Sequence, residues 1–118
     1  MTTLAVAAGG VLGVLARFGI SRATLHSEAL LWSTVAINVA GSFLLGLLVA
    51  AQWFSADARE AIGVGFLGGF TTFSTFSVQI VIELDAGKPG RGLAYLAASV
   101  LGGLLAAFAG YALGKAIA

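Results

Sequence analysis

Long apolar stretches alternate with short polar clusters along this chain, and each stretch is as long as a membrane crossing. A helical span needs about 20 mostly apolar residues. The charged positions mark off four such stretches. The first runs from about Thr2 to Leu25 and carries Arg17 and Arg22 toward its end. The second, from about Leu30 to Phe54, holds no charge. Asp57, Arg59 and Glu60 form a polar connection to the third, from about Ala61 to Leu84. Asp85 to Arg91 forms the next turn, with Pro89 as a helix breaker, and the fourth span follows from about Gly92 to Leu113. The pattern predicts an all-α membrane protein of four transmembrane helices, a single domain over residues 1–118, with no internal repeat.

Composition narrows this reading. Charged residues make up 9% of the 118 positions and hydrophobic residues 59%, against about 25% charged in a soluble domain. Six basic and five acidic side chains cannot cover the surface of a soluble fold this small. There is no cysteine, so disulfides and thiolate metal sites are excluded. The lone His26 cannot build a zinc site and belongs to an interfacial loop. A net charge of +1 leaves no footprint for nucleic acid. No basic region precedes the first apolar run, which therefore reads as a span rather than a cleaved leader.

Four spans put both termini on one side of the bilayer. Arg17, Arg22, Lys88 and Arg91 lie toward the loop side, and Arg59 and Lys115 toward the terminus side. Basic residues favour the cytoplasmic side. The bias here is small, so the charges allow either insertion in both orientations, with an antiparallel dimer of identical chains, or one fixed topology. Gly9-x-x-x-Gly13, Gly65-x-x-x-Gly69 and Gly110-x-x-x-Gly114 each put two glycines on one helix face, which permits close helix approach in lipid.

Polar groups are costly in hydrocarbon and mark where chemistry resides. Glu28, Asp57, Glu60, Glu83 and Asp85 all lie near span ends, so no carboxylate sits mid-membrane to relay protons. Nothing resembles a nucleophilic triad or a phosphate loop, which argues against an enzyme. Asn38 and Ser42 share one face of the second span, beside Gly41. They either join helices or offer donors to an ion. Tyr95, Ser99 and Gly103 form one stripe on the fourth span, as a polar path or as packing. GGFTTFSTFS, from Gly68 to Ser77, is the most unusual stretch. Glycine and threonine both weaken a helix, so a break near mid-span is expected. Unwound backbone at that depth survives only against protein or water. Its carbonyls can hold a cation, and its N–H groups, hydroxyls and the positive edges of Phe73 and Phe76 can face an anion.

GGFTTFSTFS, NVAGSFLLG at Asn38 to Gly46 and GVLARFG at Gly13 to Gly19 resemble the CrcB/Fluc fluoride channels along the whole chain. The resemblance implies an antiparallel, dual-topology homodimer in the inner membrane of a prokaryote, with pairing to a paralogous chain as the alternative. It implies two pores that pass fluoride passively out of the cytoplasm and reject chloride. Phe73 and Phe76 match pore-lining phenylalanines, and Asn38 a pore asparagine. Thr72, Ser74 and Thr75 fall in the hydroxyl-rich region beside the pore, and Tyr95 and Ser99 match the start of a polar track. Ser42 shares the face of Asn38 and is read with the pore lining. Arg17 matches a vestibule arginine. A structural Na+ at the dimer centre would take backbone carbonyls of Gly68 and Thr71. Two positions depart from the family pattern: Gln79 stands where many relatives have glutamate, and Gly103 where a relative carries serine. The competing readings are a small proton-coupled drug exporter, which lacks a carboxylate in the first span here, and a purely structural membrane subunit.

Overall fold

The computed structural model describes residues 1–24 and 29–118. His26 and its expected loop lie outside the described residues. Four helical segments are long and apolar enough to cross a membrane: Thr2–Ala23, Leu31–Ala51, Ala56–Asp85 and Pro89–Ile117. Helix α1 is Thr2–Ala23 and α2 is Ala29–Ala51. The third span is composite. It comprises α3 (Ala56–Glu60), a widened π-helical stretch (Ala61–Leu67), α4 (Gly68–Phe70), two extended residues, and α5 (Phe73–Asp85). Helix α6 is Pro89–Ile117.

Two helix pairs organise these spans. Helix α2 packs along α6, while α1 packs along the first half of the third span. Beyond its break the third span changes partner, and α5 lies against α6. Glycines make both pairings close. A methyl group on Gly13 would meet the Phe66 carbonyl, and one on Gly65 would lie 2.6 Å from the Val6 carbonyl. The glycine pairs of the first and third spans thus face each other within one chain. A methyl on Gly110 would strike the Phe43 carbonyl of α2. Small residues let the backbones approach, which substitutes in lipid for a hydrophobic driving force.

Several ends differ from the sequence-based boundaries. The Asp57, Arg59, Glu60 connection is not a loop: Ser55 Oγ accepts the Ala58 N–H at 3.3 Å and starts a helix that runs straight into the third span. Arg59 Nη2 donates to the Val49 carbonyl at 3.2 Å, satisfying one of the last carbonyls of α2. Helix α2 stops before Trp53 and Phe54, because Gln52 takes a left-handed conformation at φ +57°. Asp85 ends α5 in a Schellman turn: the Lys88 N–H reaches the Glu83 carbonyl at 2.9 Å, and the Gly87 N–H reaches Leu84 at 3.1 Å. Gly87 has the positive φ, +75°, that this turn requires. Pro89 does not break a helix but begins one, where its missing N–H costs nothing. The fourth span extends to Ile117.

Candidate functional site at the helix break

The break is at Thr71 (φ −85°, ψ 156°) and Thr72 (φ −150°, ψ 121°). Gly68 remains helical at φ −63°, ψ −38°. The expected mid-span break is therefore carried by the two threonines and not by the glycines before them. Two consecutive β-branched residues take the extended backbone, which suits them. Gly69 serves close approach, since a methyl on it would lie 2.7 Å from the Gly10 carbonyl.

Neighbouring side chains replace the hydrogen bonds that the break removes. The Thr72 N–H donates to Asn38 Oδ1 at 2.8 Å instead of reaching back to the Gly68 carbonyl. Asn38 Nδ2 returns a hydrogen bond to the Thr72 carbonyl at 3.0 Å. Arg17 Nε donates to the Gly69 carbonyl at 3.2 Å. Thr71 Oγ1 donates to the Leu67 carbonyl at 2.9 Å. Thr72 Oγ1 caps α5 by accepting the Thr75 N–H at 3.2 Å, and lies 3.4 Å from Ser74 Oγ. The methyl of Thr71 fills the space that a side chain on Gly41 would occupy. Of the hydroxyls in the stretch, Thr72 Oγ1 thus closes a backbone gap, while Thr71 Oγ1 adds a second donor to the Leu67 carbonyl that already accepts the Thr71 N–H.

A groove of about 470 Å³ runs past the break. Its walls include Asn38, Ser42, Gly68, Thr71, Thr72, Phe73, Phe76, Ser99 and Gly103. Phe73 is 78% exposed within the single chain, whereas Phe76 is 6% exposed. The two rings lie 5.6 Å apart and are tilted by 57°. Phe76 stacks on Tyr95 at 5.4 Å, which covers one ring face. Ser99 is buried, and its Oγ has no hydrogen-bond partner. An unpaired hydroxyl in an apolar setting is costly, so it marks a place for a polar guest.

The remaining candidates lie elsewhere. Tyr95 is fully buried behind Phe76 and donates to Gln79 Oε1 at 2.5 Å. Ser74 and Thr75 belong to the first turn of α5 and not to the groove wall. Arg17 props the break from the α1 side. Gly103 leaves open the space beside Ser42 Oγ, 3.7 Å from where a methyl would be. The buried Thr34 is a residue that sequence reasoning passed over; it lies one turn before Asn38, which was the available signal. Among the described residues no three His, Cys, Asp or Glu side chains converge. The oxygens at hand for a cation are backbone carbonyls, chiefly those of Gly68, which has lost the Thr72 N–H, and Thr71.

Residues 4–111 match the family profile described as CrcB-like protein, Camphor Resistance (CrcB). A protein of Thermus thermophilus named fluoride-specific ion channel FluC is 43% identical, over 97% of this chain and 94% of its own length. One from Moorella thermoacetica, named fluoride-specific ion channel FluC 2, is 43% identical over 94% of each chain. One from Stutzerimonas stutzeri, named fluoride-specific ion channel FluC, is 42% identical over 94% of each.

Proposed function

The chain belongs to the CrcB-like family, and from that premise we propose how its groove passes fluoride. The protein is a multi-pass membrane channel for fluoride and not an enzyme. The reading of mechanism rests chiefly on the unpaired Ser99 hydroxyl, which shares a groove with Asn38, Phe73 and Phe76.

Fluoride is small and strongly hydrated, so a path must replace its water without a full positive charge that would trap it. Asn38 spends one N–H on the Thr72 carbonyl and keeps the second. Ser99 supplies an O–H, Ser42 another, and the ring edges of Phe73 and Phe76 weak positive potential. The exposure of Phe73 supports a second copy of the chain closing the groove. With the small charge bias this gives an antiparallel homodimer with two pores. Transport is passive and runs outward across the inner membrane: HF enters neutral, ionises in the cytoplasm and leaves as fluoride.

Na+ fits the dimer centre on the chemistry of the donors. The Gly68 carbonyl is freed by the Asn38 clamp and lies on the exposed groove wall, and hard oxygen donors suit such a cation. When bound, Na+ would offset repulsion among carbonyls of the two chains. Gly68 and Thr71 would hold it.

Fluoride efflux from liposomes carrying the purified chain tests the proposal. Potassium fluoride is loaded, valinomycin balances charge, and an electrode reads external fluoride. Rapid fluoride loss with chloride retained in a parallel sample is expected. Absence of flux from well-folded dimer would overturn the homodimeric channel.

A further inference from the structure

The polar groups between α5 and α6 do not stop at Tyr95. Glu83 lies one turn beyond Gln79 on α5, and Arg91 one turn before Tyr95 on α6. The hairpin at Gly87 makes the two helices antiparallel neighbours, so these residues meet in rungs. Arg91 Nε pairs with Glu83 Oε2 at 3.3 Å, with the two side chains 28% and 15% exposed. The next rung is Tyr95 Oη donating to Gln79 at 2.5 Å. Beyond it Tyr95 stacks on Phe76, and the following turn of α6 presents Ser99 in the groove. Polar side chains therefore recur turn by turn as a seam from Ser99 at the groove to the end of the α5–α6 hairpin, with the Phe76–Tyr95 ring stack between Ser99 and the Gln79 rung.

We propose that the Arg91–Glu83 pair is the mouth of this seam and sets the affinity for the anion entering or leaving it. The inference rests on the fluoride reading above. Arg91 supplies the positive potential that draws a small anion toward the seam, and Glu83 cancels enough of it to prevent trapping. A half-buried pair is suited to this, because removing either partner leaves a charge poorly screened by water.

The test measures initial fluoride efflux against internal fluoride concentration, at low and high ionic strength, for the wild-type chain and for Glu83→Gln, Arg91→Gln, Arg91→Lys and the double Glu83→Gln/Arg91→Gln variant. Rates are normalised to folded dimer measured by gel filtration. Wild-type flux checks the underlying reading separately. Glu83→Gln is expected to lower the half-saturating fluoride concentration, and Arg91→Gln to raise it, each by about tenfold at low ionic strength and less at high. Arg91→Lys and the double variant should stay near wild type. If Arg91→Gln does not fold, Glu83→Gln and the double variant, which leaves no lone buried charge, still decide. Unchanged half-saturation in every folded variant, with rates tracking only the amount of dimer, would reduce the pair to a hairpin staple and overturn the proposal.

Discussion

Asn38→Ala removes both hydrogen bonds that hold Thr72 in the break. The two backbone groups left behind are part-buried. Each unsatisfied group costs about 1–3 kcal/mol where water cannot reach it. If both stay dry the loss is about 2–6 kcal/mol, a large part of the stability of a small domain. If water from the groove replaces the amide, the loss falls to about 1 kcal/mol. Asn38→Asp separates the two bonds. Its carboxylate still accepts the Thr72 N–H but faces the Thr72 carbonyl with no donor, and it sets a negative charge in the anion path. Unfolding of the detergent-solubilised dimer, followed by loss of the gel-filtration peak with temperature, should rank wild type above both variants. Liposome flux should fall in both, and further per folded dimer in Asn38→Asp than in Asn38→Ala. Asn38→Ala with wild-type stability and wild-type flux would refute the reasoning, since neither a clamp nor a donor would then be in use.

The other predictions concern separate parts of the chain. Phe73→Ile keeps bulk but removes the electropositive ring edge, so flux should drop sharply while the dimer persists on gel filtration. Gly13→Ala places a methyl on the Phe66 carbonyl, which should cost at least about 1–3 kcal/mol and lower the melting temperature. Gly87→Ala forces a side chain into φ +75° and should cost about 1–2 kcal/mol. Gln52→Gly, relieving φ +57°, should stabilise by up to about 1 kcal/mol in the same melting assay.

The spans were legible because charge is expensive in hydrocarbon, so each polar cluster had to lie near a helix end. Exact boundaries were not. Asp57, Arg59 and Glu60 tolerate a helix as well as a loop once they are exposed, and only Ser55, by capping, decides between them. The break was visible as a weak helical stretch, and it falls at Thr71 and Thr72 near mid-span. Gly68 and Gly69 lower helix propensity without opening this helix, and at Gly69 the missing side chain is used for close approach to α1. What the sequence pattern could not reveal is which helix faces which. The opposition of Gly9-x-x-x-Gly13 to Gly65-x-x-x-Gly69, and of Tyr95 to Gln79, is a tertiary relation. It places Tyr95 against Phe76 on one side and Gln79 on the other.

The hydroxyl-rich stretch solves two problems with one set of groups. A helix interrupted mid-membrane exposes donors and acceptors that lipid cannot satisfy. Thr72 Oγ1, Asn38 and Arg17 meet that demand from within the third span and from α2 and α1. Each group also has polar capacity beyond the bond it makes. Asn38 retains an N–H and Arg17 retains its terminal guanidinium nitrogens. The clamp on Thr72 leaves the Gly68 carbonyl without its helical donor. The contacts that make the break tolerable thus also leave the groove an unspent donor at Asn38 and a freed acceptor at Gly68. Ser99, which repairs nothing in the backbone and has no partner, has no structural reason to be a hydroxyl at that depth. The proposed fluoride path is what gives that hydroxyl a use.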